Sequence, residues 1–224
     1  MSRRGARDRT PMSDYYDMGT YSRPVTTSSR EAQLWFNWGL LWRYGFNNEE
    51  AVRCFRKAIE HDDRCAMAYW GLSYAYGPRY NKPWEGFEEN ELSEALSHAR
   101  RSIEAALARL VGAAPVEQAL IRALERRYQS ARRVSNDELR AWVDAYAQSM
   151  REVHSAFPDD LDVCALFAES MMTRTPTQLW DLEMGEAAQG ADTLETVSVL
   201  ERALQLMDEG GRVAYSGKTA GMQY

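Results

Sequence analysis

The feature that most constrains the fold of this chain is a set of aromatic residues repeated at helical spacing. Trp35, Trp38 and Trp42 are three and four residues apart, which places their side chains on one face of a helix. Tyr69 opens a similar pattern 34 residues after Trp35. A fixed period of this length is typical of chains built from stacked helix pairs, in which each pair buries the apolar face of its neighbour.

Start and stop signals between the apolar segments also predict helices. Two pairs of residues have capping-box spacing: Ser28 with Glu31, and Asn47 with Glu50. A third helix begins near Cys65 and ends at Gly77-Pro78, where glycine can adopt a left-handed conformation and proline prevents the helix from continuing. Further helices are predicted over residues 88–111, 116–131, 136–156, 160–173 and 192–207. Val, Ile and Thr do not alternate in runs, so no strand is predicted.

The aromatic pattern resembles the tetratricopeptide repeat, which has W-x2-L-G-x2-Y on one helix and A-x3-F-x2-A on the next. The residues that occupy these anchor positions are Trp35, Trp38, Gly39, Trp42, Ala51, Phe55, Ala58, Tyr69, Leu72 and Tyr76. Weaker copies follow, and insertions over residues 78–90 and 173–191 interrupt them. The resemblance implies an all-α fold, an irregular α-α superhelix of tetratricopeptide-like helical hairpins over residues 21–208.

Residues 21–84 resemble more closely a family of tetratricopeptide-like proteins found in bacteria and fungi. The segments that carry this likeness are 23–29, 44–47, 49–51, 65–71, 77–78 and 81–84, with 190–195 further along. The resemblance implies helical-repeat architecture and no particular reaction. It also implies histidines where this chain has Ser22 and Asn48, so a metal or redox site built from those histidines would lack its ligands here.

Composition limits the class of protein. The 33 acidic and 27 basic residues give a net charge of -6, which argues against nucleic-acid binding through bulk charge. No stretch approaches the roughly 20 apolar residues of a membrane span, so no membrane partner is predicted. The three cysteines have no C-x-x-C spacing, which favours a reducing, cytoplasmic location. We expect a disordered Arg-rich arm over residues 1–20 and a flexible Gly-rich tail over residues 209–224.

No motif predicts a metal, a cofactor or a standard catalytic centre. His61, His98 and His154 stand on separate predicted helices, without a second ligand at metal-site spacing. A phosphate-binding glycine loop, a nucleophile elbow and a Cys/His nucleophile pair are also missing from the sequence. The sequence therefore favours a protein that is not an enzyme.

The best candidate for a binding site is the loop after the third helix, with candidate residues Arg79, Tyr80, Asn81, Lys82 and Trp84. Loops that interrupt a rigid scaffold often carry function. The alternative, which we favour, is that Tyr80 and Trp84 fold back to fill a gap in the irregular repeat.

Two other sets of residues have a structural explanation that is more probable than a functional one. The tryptophan set around Trp38 could be a stacking platform, but its spacing favours burial in the core. The arginines over residues 122–140 could be an anion patch, but interleaved acidic residues favour a solvated helix face.

The sequence supports two alternatives for function. The first is a protein-interaction or scaffold module with a protein partner, and the second is an accessory or catalytic protein of small-molecule (secondary metabolite) biosynthesis with a small-molecule ligand. No polar capping helix follows the apolar segment that contains Leu194 and Leu204. We therefore expect either a fold-back of the tail, a longer family architecture, or self-association through this C-terminal helix.

Overall fold

The computed structural model describes the backbone of residues 17–218 and the side chains of residues 17–208. Eight α-helices occur within this range: α1 (Arg30–Tyr44), α2 (Asn48–His61), α3 (Ala66–Tyr76), α4 (Glu89–Leu107), α5 (Pro115–Glu125), α6 (Asn136–Ala156), α7 (Leu161–Met172) and α8 (Thr193–Lys218). Consecutive helices pack against each other, and α3 also contacts both α1 and α5. The prediction of an all-α fold is confirmed. Most of the predicted arm, residues 1–16, lies outside the described residues.

The prediction that the chain contains no strand is wrong. Strands β1 (Trp180–Asp181) and β2 (Glu186–Ala187) form an antiparallel hairpin in the insertion between α7 and α8. The Asp181 carboxylate accepts hydrogen bonds from the amides of Glu183 and Met184, at 3.0 and 3.1 Å, and so closes the turn. Each strand has only two residues, which is too short for an alternating pattern to appear in the sequence.

The helix ends differ from prediction at several positions. Ser29, and not Ser28, caps α1 by accepting a hydrogen bond from the Ala32 amide at 3.1 Å. Asn47 caps α2 as predicted, with its side-chain oxygen 3.2 Å from the Glu50 amide nitrogen. At its C-terminal end, α8 continues to Lys218 through part of the predicted tail, and residues 219–224 lie outside the described part.

Gly77 ends α3 as predicted, but for a different physical reason. Its φ of -82° is extended and not left-handed. A Cβ at this position would lie 1.9 Å from the Tyr128 hydroxyl oxygen, so the close approach of Tyr128 requires glycine. The left-handed residue at the end of α1 is Phe46, with φ of 62°.

Phe55 holds the first three helices together. Its ring lies between Gly39 on α1 and Gly71 on α3, where an added Cβ would come within 2.6 and 2.3 Å of ring carbons. Ala51 and Ala58, three or four residues away on α2, are fully buried beside it. Small residues on two helices therefore make room for one large ring on the third.

The other aromatic anchors are buried to different degrees. Phe36 and Leu40 are the fully buried large side chains of α1, and Trp38 is 9% exposed. The remaining anchors are half-buried and pack against the core from outside: Trp35, Trp42, Tyr69, Leu72 and Tyr76. The small residue of the second pattern, Ser73, donates its hydroxyl to the Ala99 carbonyl of α4 at 2.9 Å, so α3 and α4 approach closely there.

Replacing Gly71 with alanine tests the contact with Phe55. The added methyl overlaps the ring, so we expect Gly71→Ala to lower the free energy of unfolding by about 1–3 kcal/mol despite the better helix propensity of alanine. Urea denaturation measures the loss. The double variant Phe55→Leu/Gly71→Ala should lose less than the sum of the two single variants, because the smaller side chain relieves the overlap. Additive losses would contradict this packing.

Candidate functional site

Two arginines enter the interior and meet at one backbone carbonyl. Arg43, in the last turn of α1, is 2% exposed, and Arg127, just after α5, is fully buried. Each donates a hydrogen bond from Nη2 to the carbonyl oxygen of Pro78, at 3.2 and 3.0 Å respectively. Pro78 is the second residue after α3. The start of the loop therefore holds together two cations that come from distant parts of the sequence.

One carboxylate faces both arginines. Glu169 on α7 has its Oε1 3.4 Å from Arg43 Nη2 and its Oε2 3.9 Å from Arg127 Nη1. Both distances exceed the roughly 2.7–2.9 Å of a close ionic hydrogen bond. We call Arg43, Arg127, Glu169 and the Pro78 carbonyl the arginine centre. Its side chains carry two positive charges against one negative charge.

Tyrosines form the walls of the arginine centre. The Arg43 guanidinium lies 4.2 Å from the ring centroid of Tyr74, and that of Arg127 lies 4.8 Å from the ring centroid of Tyr146, both within cation–π range. Burial, with the negative charge of Glu169 as a lesser cause, raises the pKa of Tyr74 and the pKa of Tyr146 above the usual value. Burial likewise raises the pKa of Tyr128 to about 12. These phenols stay neutral at physiological pH and do not balance the extra cation.

Several polar atoms of the arginine centre have no hydrogen-bond partner among the described residues. They are Arg43 Nε, Arg127 Nε, Arg127 Nη1, Glu169 Oε2 and the Tyr146 hydroxyl. Buried polar atoms are nearly always paired in folded proteins, and an unpaired one is costly. Donors exceed acceptors here, so the centre has the composition of a site for a negatively charged group.

The predicted binding loop closes on itself beside this centre. Arg79 and Lys82 exchange two backbone hydrogen bonds of 3.1 and 2.9 Å, and Arg79 Nε donates to Asn81 Oδ1 at 2.9 Å. The Lys82 ammonium pairs with Glu91 of α4. Three of the five candidate side chains are therefore held by local contacts.

The two aromatic candidates behave differently. Trp84 is 3% exposed and packs against Phe87 and Tyr128, with ring centroids 5.2 and 6.3 Å away. Tyr80 is only half-buried. The favoured interpretation that both rings fill a gap therefore describes Trp84 and not Tyr80.

The loop separates two surface cavities. One, which we call the loop cavity, has a volume of about 490 Å³ and lies between the loop and the helices α6 and α7, with Pro78, Trp84, Val143 and Thr173 in its walls. The other, of about 780 Å³, is lined by Arg79 and Lys82 together with residues of α2, α3 and α4. Of the candidate residues, Trp84 thus lines the first cavity, and Arg79 and Lys82 line the second.

The arginine centre was missed by the sequence analysis. The interpretation of the arginines over residues 122–140 as a solvated face holds for the exposed Arg122 and Arg126 but is wrong for Arg127. Arg127 follows the buried Ala123 and Leu124 at helical spacing, which is the signal that could have identified it. The pairing with Glu169, 42 residues further on, has no signal in the sequence.

The three histidines do not come together. His61 is exposed at the end of α2, His98 stacks on Tyr76 with ring centroids 4.7 Å apart, and His154 stacks on Phe167 at 5.1 Å. Across the part of the chain that the structure describes, no group of three or more His, Cys, Asp or Glu side chains has the arrangement of a metal site.

A second buried ionic cluster is structural. Arg23 Nη1 lies 2.7 Å from Asp160 and 3.1 Å from Asp162, at the start of α7. The hydroxyls of Tyr21 and Tyr44 donate to the same Asp162 oxygen, at 2.6 and 2.8 Å. These bonds attach the segment before α1 to α7, and the carboxylates of the cluster are fully engaged by it.

None of the described helices is both long enough and apolar enough to span a membrane. Comparison with models of protein families, with curated proteins and with solved structures gives no match to this chain.

Substitution of Glu169 measures how much the arginine centre depends on its one carboxylate. Glu169→Gln leaves two buried guanidiniums without a counter-charge, so we expect the free energy of unfolding to fall by about 3 kcal/mol. Glu104→Gln is the matched control, because Glu104 pairs with Arg100 on the surface at 2.7 Å and should contribute less than about 0.5 kcal/mol. Equal losses in chemical denaturation would show that the centre is not an electrostatic unit.

Proposed function

We propose that this chain is a tetratricopeptide-like helical-repeat module that binds a helical segment of a partner protein on its helix α8. The observation that carries the proposal is the position of exposed apolar side chains. Eight of the eleven exposed large apolar residues of the described part lie within residues 180–207: Trp180, Leu182, Met184, Leu194, Val197, Leu200, Leu204 and Met207. Surface apolar residues that concentrate in one region typically mark an interaction site.

The helix α8 is apolar on two sides. The first side contacts α7: Val199 is buried in the core there, and Ala203 packs against that core. A second set, the apolar row, follows a spacing of three or four residues along the exposed side: Leu194, Val197, Leu200, Leu204 and Met207. A helix on the surface of a globular domain needs only the first of these sides, so the apolar row is suited to another helix.

The hairpin before α8 extends the same surface. Leu182 is 91% exposed and Met184 is 71% exposed, at the turn between β1 and β2. The Thr193 hydroxyl donates to the Leu179 carbonyl at 2.5 Å, which fixes the base of the hairpin to the start of α8. A partner helix lying on the apolar row would meet these side chains at the N-terminal end of α8.

The packing of the first four helices supports the repeat assignment. Gly39 and Ser73 occupy the same place in the patterns of α1 and α3 and are 34 residues apart. Gly39 lies against Phe55 of α2, and Ser73 donates to the Ala99 carbonyl of α4. A recurring small residue where the two helices of a pair meet is what a stacked array requires.

A charge placed in the apolar row tests the docking face. We expect Leu200→Glu/Leu204→Glu to abolish retention of a protein partner in affinity purification with quantitative mass spectrometry, because two carboxylates would be buried without counter-charges. Ser198→Glu is the matched control, since it adds a charge to the same helix outside the row. Light scattering identifies a second copy of the chain as the partner if the wild type is a dimer and the double variant a monomer. The proposal is refuted if the wild type is a monomer that retains no partner protein, or if the double variant still retains the partner of the wild type.

The second candidate function, an accessory or catalytic protein of small-molecule biosynthesis, is supported by the loop cavity. Its volume of about 490 Å³ is in the range of small-molecule sites. The hydroxyl of Thr175 in its wall is buried and has no partner among the described residues.

Blocking the loop cavity tests this second candidate. We expect native mass spectrometry of the purified protein to detect a bound small molecule, and Thr175→Trp, which fills the cavity, to lose it. Arg122→Trp, on the exposed side of α5, adds the same ring outside the cavity and should retain the molecule. A wild-type protein that carries no small molecule would count against this candidate.

A further inference from the structure

The arginine centre has more positive charge than the surrounding protein can balance. Arginine stays protonated even when buried, so Arg43 and Arg127 are both cations. Glu169 is the one carboxylate that reaches either buried guanidinium within 4.0 Å among the described residues.

Four other carboxylates already form ion pairs with cations elsewhere. Glu91 pairs with Lys82, and Asp162 pairs with Arg23. Asp144 and Asp192 both pair with Arg174 at the rim of the loop cavity. The neutral tyrosines that surround the guanidiniums contribute no charge. Within the described residues, then, one positive charge of the arginine centre has no close counter-charge.

The uncompensated charge is located mainly on Arg127. Its side chain is fully buried and Glu169 Oε2 lies 3.9 Å away. Its Nε and Nη1 have no partner at hydrogen-bond distance among the described residues, although the Tyr128 hydroxyl lies near the guanidinium. The Tyr146 hydroxyl, which also has no partner, belongs to the ring beneath this guanidinium. Three unpaired donor groups thus lie around one buried cation, in a region where desolvation makes an unpaired charge very costly.

We propose that the arginine centre binds one small monovalent carboxylate, of the size of formate or acetate, against Arg127. One negative charge balances the excess of two guanidiniums over one glutamate. One oxygen of the carboxylate can accept from Arg127 Nη1, and the other can accept from the Tyr146 hydroxyl. The proposal is independent of the apolar row, which lies on a different helix.

The loop cavity borders the arginine centre. Pro78 lines that cavity, and its carbonyl oxygen is the atom to which both arginines donate. Thr173, also in the wall, donates its hydroxyl to the Glu169 carbonyl at 2.7 Å. Val143 in the wall lies one helical turn from Tyr146 on α6. Residues of the cavity wall are therefore bonded to, or one helical turn from, members of the arginine centre and its tyrosine walls.

Thermal unfolding with sodium acetate as the probe tests the proposal in the full chain. Ionic strength is held constant with the sodium salt of a bulky sulfonate. We expect a saturable rise in Tm of about 2–4 °C once acetate exceeds its Kd about fivefold, because only the folded state binds it. Absence of a saturable rise in the wild type would overturn the proposal.

Three variants locate the site. Arg127→Met removes the excess charge and should abolish the acetate-dependent rise, whereas Arg126→Met, its exposed neighbour, should leave the rise unchanged. Glu169→Gln increases the excess charge and should lower the Kd for acetate about tenfold or more. If Arg127→Met does not fold, Arg43→Met takes its place with the same expected loss. A rise that is equal in the wild type, Arg127→Met and Glu169→Gln would refute this site.

The same titration with sodium bromide and with sodium phosphate tests the ligand class. A carboxylate site predicts a lower Kd for acetate and formate than for either ion, because a sphere or a tetrahedral dianion fits the planar donors less well. If bromide or phosphate binds as tightly as acetate, the carboxylate assignment is wrong.

Discussion

The carbonyl oxygen of Pro78 is the point at which distant parts of this molecule are joined. It accepts hydrogen bonds from Arg43 at the end of α1 and from Arg127 after α5. Both arginines in turn face Glu169 of α7. Four elements that are far apart in sequence therefore meet through a single main-chain acceptor and the charges around it.

The interior around this junction is polar, whereas the interior between α1, α2 and α3 is apolar. Phe55, between Gly39 and Gly71, is typical of the apolar part, where shape complementarity between α1, α2 and α3 specifies the packing. In the polar part the helices are held by charge, cation–π contacts and hydrogen bonds. Direct contact between α1 and α7 is made there by side chains such as Arg43 and Glu169.

Two regions of the surface, the loop after α3 and the hairpin with α8, also differ in character. The loop after α3 folds onto the core through Trp84, and its cations Arg79 and Lys82 have local partners, so this loop mainly builds the wall between two cavities. Most exposed apolar area of large side chains instead lies in the hairpin and on α8. The proposed protein contact and the proposed anion site thus lie in different regions and depend on different forces.

The sequence predicted the helices well because their signals are local. The Asn47 cap, the stop at Gly77 and the extent of α6 over Asn136–Ala156 each depend on residues within a few positions of each other. The two-residue strands lack enough length for a periodic pattern, so the hairpin was missed. The role of Gly77 was also misread, since the constraint there comes from Tyr128 and not from the backbone of the turn.

By itself, the sequence determined the all-α class, the positions of most helices and the burial of Phe55, since periodicity and capping act over one or two helical turns. The tertiary structure alone decided that Arg43 and Arg127 meet at the Pro78 carbonyl and that Glu169 is the carboxylate facing them. Which charges meet depends on how whole helices pack against each other. No local sequence pattern encodes which helices lie side by side, so the candidate site can be recognised only in the folded chain.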